Sequence, residues 1–171
     1  MDRLWSPWRL QYVTSTSEPR GCVFCEASSS DEGAPLVVHR GRACYVILNL
    51  FPYNSGHLMV VPNRHLATLS AATHEERCEM MDLTQLAERA LTEAYAPQGL
   101  NVGMNLGRSA GAGIVDHIHV HIVPRWNGDT NFMTVVGDTR VLPEDIGETA
   151  RRLREAFGRL AENQKPEASS Q

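Results

Sequence analysis

The sequence predicts an α+β domain: an antiparallel sheet of about five strands, one long central helix and a second helix near the C-terminus. Three observations lead there. Short β-branched runs recur between Gly, Pro and Asn, the apolar spacing switches to a helical period at Thr73, and a second helical stripe follows residue 143. Short turns between strands, with one helix between the third and fourth, favour an antiparallel sheet covered by helices on one face. A chain of 171 residues is enough for one domain with a proper core.

Residues 1–20 carry Trp5, Pro7, Trp8 and Tyr12 without a period, and read as an aromatic arm that packs on the body or on a second subunit. The domain proper is expected over 21–160. It opens with "GCVFCE" and a Ser-rich loop, after which "PLVVHR", "ACYVILN" and "HLMVVP" read as three strands. Thr73 and Glu76 form a capping box at the start of the long helix. Met80, Leu83, Leu86, Ala87, Ala90, Leu91 and Ala94 mark its buried stripe. "LNVGMNL" is a fourth strand, "GRSAGAG" a glycine-rich loop, and "DHIHVHIVPRW" a fifth strand expected to stop near Val123, because Pro124 has no N–H for a ladder. Pro143 and Glu144 should open the last helix, with Ile146, Ala150, Leu153, Phe157 and Leu160 facing the core. Residues 161–171 read as a disordered tail.

The bulk properties exclude several classes. A formal charge of −4 gives no sign of a binder of nucleic-acid polymers. No apolar run is long enough to span a membrane, and charged and polar residues interrupt the N-terminal stretch where a signal peptide would need an apolar core. A cytoplasmic protein is expected, with its four cysteines reduced. Cys44 and Cys78, among apolar neighbours, are expected to be buried. His39 and His74 have no evident partner and read as surface residues.

The chemistry concentrates in "DHIHVHIVPRW". Alternation along a strand puts His117, His119 and His121 on one face, roughly 6.6 Å apart in sequence order, and Ile118, Val120 and Ile122 on the other. Solvent-facing strands use Thr, Lys or Glu more readily. Three imidazoles in a row instead supply a nucleophile, a proton donor near neutral pH, or metal ligands. Gly107, Gly111 and Gly113 in the preceding loop allow close approach of backbone to a phosphate, or simply make a turn.

His-hydrophobic-His-hydrophobic-His followed by two apolar residues resembles the signature of the histidine triad (HIT) family of nucleotidyl hydrolases and transferases. The likeness runs from about Cys22 to Arg125 and takes in "NLFPYNSGHLMVVPNRH" and "NVGMNLGRSAGAGIVDH". With the arm "RLWSPWRLQY" and "PRWNGDTNFM", it is most similar to a bacterial subgroup that acts on diadenosine tetraphosphate as phosphorylases or hydrolases. The resemblance implies an HIT-like fold, with His119 as the nucleophile forming a nucleotidyl-histidine. His121 would contact the bridging oxygen and α-phosphate, and His57 would lie behind His119 and orient it. Asn49 would bind the ribose, while Asn105 and the backbone at Gly111, Gly113 and Ile114 would hold phosphate oxygens. Neutral imidazole attacks phosphorus without the repulsion an anion meets, and nearby N–H donors stabilise the transition state. Family members carry a Gln with Ser or Thr just before the triad. Here "GAGIVDH" is one residue longer and lacks them, which leaves space for inorganic phosphate as acceptor, with Arg108 and Arg125 to neutralise it. The resemblance further implies a dimer or a dimer of dimers.

Cys22 and Cys25 form a Cys-x-x-Cys pair, a spacing with which two thiolates can grip one zinc; a redox pair or two inert thiols are the alternatives. Likeness to zinc-bearing relatives supplies His65 and His117 as the other ligands of a closed, structural site. Two other functions compete: a hydrolase whose triad binds a catalytic zinc, and a nucleotide-binding module without turnover. The first leaves the cysteines unexplained and lacks a carboxylate on the histidine face, since Asp116 points the other way.

Overall fold

A computed structural model of the chain describes residues 21–30, 34–129 and 144–163. The aromatic arm and most of the C-terminal tail lie outside the described residues. The elements run α1 (Val23–Ser29), β1 (Val37–Arg40), β2 (Cys44–Leu48), β3 (Leu58–Pro62), a short 3-10 turn (Leu69–Ala71), α2 (His74–Tyr95), β4 (Gly99–Met104), a second 3-10 turn (Arg108–Ala110), β5 (Val120–Arg125) and α3 (Ile146–Glu162). The five strands form one antiparallel sheet in the order β1-β2-β3-β5-β4.

The centre of the sheet is covered on both faces, which is why β2 and β3 read as unbroken apolar runs. Cys44, Val46, Leu48, Leu58 and Val60 face α2 and α3, where Met80, Leu83, Ala87, Leu91, Leu153 and Phe157 close the main core. Ile118, Val120 and Ile122 join this core, as the alternation requires. Tyr45, Ile47, Met59 and Val61 point the opposite way and pack with Phe24 of α1 in a second, smaller cluster. The histidines belong to this second face, since His121 sits directly across from Met59.

The capping box is present: the Thr73 hydroxyl accepts from the Glu76 amide and the Glu76 carboxylate accepts from the Thr73 amide. Glu76 also takes a bidentate pair from Arg64 at 2.9 and 2.7 Å, which holds its carboxyl down at about 2.

Several local expectations are corrected. α1 was not anticipated: no element was assigned to "GCVFCE". β5 starts only at Val120 and continues through Pro124 to Arg125. Proline is tolerated because β3 ends its pairing at Leu58 opposite Ile122, so no β3 carbonyl waits for an N–H from Pro124; on that side Asn54 donates to the Pro124 carbonyl at 2.9 Å. α3 opens two residues later than expected, capped by the Asp145 side chain on the Gly147 amide, and runs to Glu162. Cys44 is buried but Cys78 is exposed, on the outer face of α2 beside His74. His74 is exposed as expected, whereas His39 is half-buried and stacked on Phe157 with ring centroids 5.1 Å apart.

Candidate active site and metal centre

The loop between β2 and β3 delivers His57. Gly56 turns the chain at φ +80°, and a Cβ there would meet Leu91 at 3.0 Å, so only glycine suits the position. Asn54 ties the loop down by donating to the Pro124 carbonyl and to Asp129, both at 2.9 Å. Asp129 in turn accepts from Arg125 at 2.6 and 2.8 Å, and this guanidinium holds its carboxyl well below the usual range. Arg125, expected as a partner for phosphate, is therefore engaged by Asp129 and by the side-chain oxygen Oδ1 of Asn101. Arg108 stands on the exposed 3-10 turn.

A chain of hydrogen bonds sets the proton positions on the imidazoles. The Tyr53 amide donates to His57 Nδ1 at 3.1 Å, and Asn49 Nδ2 lies 3.3 Å from the same atom while Asn49 Oδ1 accepts from Phe51. With Nδ1 an acceptor, neutral His57 carries its proton on Nε2 and donates it to His121 Nδ1 at 3.0 Å. His121 then carries its own proton on Nε2. His119 Nδ1 lies 2.9 Å from the His117 carbonyl, to which it can only donate, so its Nε2 keeps the lone pair. The two rings meet nearly edge-on, with centroids 4.7 Å apart. A base nitrogen thus stands beside an N–H donor, the pairing that nucleophilic attack on a phosphoryl group requires.

This corrects the expected position of His57: it lies behind His121, and the His117 carbonyl orients His119. The reason is register. His121 pairs with Met59 in β3, two residues beyond His57, whereas His119 precedes the strand.

All three triad histidines favour the neutral form. Burial lowers His119, partly offset by its bond to the His117 carbonyl. Burial, then the neighbouring charge of His119, takes His121 down to about 4. Burial likewise lowers His117, against the bond to Pro62 and with the charges of His65 and His119. Gly103 faces His121 across β4, with nothing within 4 Å of where a Cβ would lie, so the cleft beside the donor is open. Asn105 follows β4 immediately, and the register pairing Met104 with Val120 brings it alongside His119. In the glycine-rich loop, Ala110, Gly111 and Ala112 use their amides on the Gly107 and Arg108 carbonyls, with Gly111 in the left-handed region at φ +89°. Gly113 and Ile114 continue the loop toward the triad, Ile114 packing against the α1 cluster.

The second constellation is Cys22, Cys25, His65 and His117, with ligand atoms all within 4.8 Å of one another. Cys22 Sγ and His117 Nδ1 are 3.3 Å apart, as are Cys25 Sγ and His65 Nδ1. Tetrahedral zinc with its usual bond lengths needs roughly 3.3–3.8 Å between donor atoms. His117 Nε2 donates to the Pro62 carbonyl at 2.9 Å, which leaves Nδ1 unprotonated toward the sulfurs, the tautomer a metal ligand needs. Burial and the adjacent Cys22 sulfur push the Cys25 thiol up. A divalent cation bound among these ligands would hold it as thiolate. The donor set fits zinc.

The sequence matches the HIT domain family over residues 32–128. This chain belongs to the HIT domain family. It is 41% identical over 167 residues to an AP-4-A phosphorylase of Mycobacterium tuberculosis, covering 93% of this chain and 86% of that one. Among solved structures of this family, a zinc-bound histidine triad protein from Mycobacterium smegmatis superposes with a TM-score of 0.69 at 31% identity, over 84% of this chain and 98% of that one. A histidine triad nucleotide-binding protein from Sulfolobus tokodaii gives the same TM-score at 28% identity, over 85% and 97%.

Asn54, Tyr53 and Asp129, which hold the HIT loop and His57 in place, escaped sequence reasoning. The turn residues in "PYNSGH" and "NGD" signal loops but not that two loops hydrogen-bond to each other.

Proposed function

We propose that this HIT protein is a dinucleoside polyphosphate phosphorylase that converts diadenosine tetraphosphate and phosphate to ATP and ADP through a nucleotidyl-His119 intermediate. The observation that carries the reading is the pair of opposite tautomers, a lone pair on His119 Nε2 beside an N–H on His121 Nε2. The lone pair attacks the α-phosphorus, the bond to the bridging oxygen breaks, and ATP departs stabilised by the His121 N–H. A phosphate oxygen then attacks the same phosphorus, the P–N bond breaks, and ADP leaves with His119 restored. The named activity of the M. tuberculosis relative supports the substrate and acceptor. Asn49 serves His57 and reaches the ribose, and Asn105 with the Gly111–Ile114 backbone borders the phosphates.

Cys22, Cys25, His65 and His117 hold one zinc in this reading. Four protein ligands fill a tetrahedral site, so the metal is structural and supplies no bound water. That, with the Nδ1 atoms of His119 and His121 engaged by the His117 carbonyl and His57, disfavours a catalytic-zinc hydrolase. The four cysteines form no disulfide with one another, which suits a reducing cytoplasm. The exposed edge strand β4, with Val102 half-exposed on it, is the surface through which two copies pair as a dimer.

Hydrolysis is the second reading, favoured by one observation: Asp129 occupies Arg125, so of the two expected arginines Arg108 is left to meet a phosphate acceptor. The test is product analysis as phosphate is raised from zero. The ADP to AMP ratio rises steeply in a phosphorylase. A ratio that stays near zero makes the protein a hydrolase.

A further inference from the structure

The cysteine helix does more than present two sulfurs. Of the seven residues of α1, Phe24 alone is buried, and it lies between Cys22 at the N-cap and Cys25 one turn later. Its ring approaches His119 with centroids 5.0 Å apart at 56°, and meets His117 at 5.5 Å nearly edge-on. The Tyr45 hydroxyl donates to the Phe24 carbonyl at 2.7 Å, and Tyr45 is fully buried. Arg40 anchors the far end of the helix by donating to the carbonyls of Ala27, Ser28 and Ser30.

An imidazole has two side-chain torsions, and one hydrogen bond from Nδ1 leaves the ring free to swing about the line to its acceptor. The His119 bond to the His117 carbonyl therefore does not by itself fix where Nε2 points. The remaining restraint is steric: His121 stands on one side of the ring, and Phe24 packs against it as well. Nucleophilic attack needs the reacting nitrogen within a few tenths of an ångström of its line of approach.

We propose that Phe24 is a positioning residue for His119, and that the Cys22–Cys25–His65–His117 cluster acts on the nucleophile through it. Two routes lead from the cluster to His119. One runs through His117, whose ring is a ligand and whose carbonyl holds His119 Nδ1. The other runs through α1, which the two cysteines pin and which sets the Phe24 ring. Emptying the cluster releases the N-terminal turn of α1, leaving Tyr45 and Arg40 as its remaining anchors, and loosens the wall against which His119 rests. This inference rests on His119 being the nucleophile, so its test includes a measurement that needs no substrate.

The experiment compares wild type with Phe24→Ala, Phe24→Leu, the Cys22→Ser/Cys25→Ser double variant and Ile47→Ala. Ile47 belongs to the same apolar cluster, pairs with Val37 and Met59 across its strand, and controls for a general loss of packing. The readouts are the ring-nitrogen NMR signals of His119, which report the surroundings and mobility of each nitrogen, together with zinc content and the split between kcat and KM on diadenosine tetraphosphate. Both Phe24 variants should keep their zinc, shift and broaden the His119 Nε2 signal, and lose about tenfold or more in kcat with KM changed less than threefold. The cysteine variant should show the same His119 change, and Ile47→Ala should not. If Phe24→Ala does not fold, Phe24→Leu carries the comparison alone. A His119 signal unchanged in the Phe24 variants, changed only where zinc is lost, or changed equally in Ile47→Ala overturns the proposal. An inactive wild type with an ordered His119 that Phe24→Leu disorders would sink the substrate assignment and leave the positioning role standing.

Discussion

Acidification from pH 7 to pH 5 should destabilise this protein, and His121 alone accounts for a large part of the loss. In the folded state burial takes His121 down to about 4, against an ordinary value of 6.5 in the unfolded chain. A group whose folded pKa is depressed below the unfolded one binds its proton preferentially in the unfolded state. For this histidine, stability is intact above 6.5 and declines as pH falls toward 4. At pH 5 the unfolded imidazole is almost fully protonated and the folded one hardly at all, so linkage gives a loss of about 2 kcal/mol relative to pH 7. His117, His119 and His39 shift in the same direction and add to it. The assay is urea unfolding at pH 7, 6 and 5 for wild type and His121→Gln, each with constant zinc. The glutamine variant should lose about 2 kcal/mol less than wild type over that interval, whatever its stability at pH 7. Identical pH slopes would show that His121 titrates normally in the fold, and the buried neutral imidazole inferred above would be wrong.

Replacing the nucleophile, His119→Ala, should reduce turnover of diadenosine tetraphosphate more than about a hundredfold while nucleotide binding persists; activity within a factor of ten of wild type removes His119 from that role. His57→Ala, which deprives His121 Nδ1 of its donor, should lower kcat by about a hundredfold with KM little changed, and a change under threefold would mean that His121 needs no orientation. Protein purified without chelator should carry about one zinc per chain, lost together with several degrees of Tm in Cys22→Ser/Cys25→Ser; equal stability of a metal-free wild type contradicts a structural metal. Glu76→Gln weakens both the capping box and the buried end of the Arg64 pair and should cost about 2 kcal/mol in urea unfolding, with a cost under 0.5 kcal/mol placing the pair among ordinary surface contacts.

The sheet, the long helix and the identity of both clusters were legible because each rests on a local pattern. Period-two alternation separated Ile118, Val120 and Ile122 from His117, His119 and His121, and Thr73 with Glu76 marked the start of α2. Cys22 and His117 are 95 positions apart, so only resemblance to zinc-bearing relatives could bring them together. What the residues concealed depends on contacts between segments distant in sequence. The partner of His57 follows from the register of β3 against β5. The burial of His39 follows from α3 packing over β1. A single buried phenylalanine in a seven-residue helix has no period, so α1 left no pattern to read. Cys78 was misjudged because its apolar neighbours Met80 and Met81 point in different directions on α2, one into the core and the other outward with the thiol.

The central claim is that His119 Nε2 forms a covalent bond to the nucleotide. It is tested most directly by mixing enzyme with diadenosine tetraphosphate in the absence of phosphate, quenching at alkaline pH within the first turnover, and mapping the modified peptide by mass spectrometry. The account predicts an AMP adduct on His119 that forms with release of ATP, and that disappears with production of ADP when phosphate is added before the quench. Steady turnover with no adduct on His119 at any time, or an adduct on His121 instead, would contradict it.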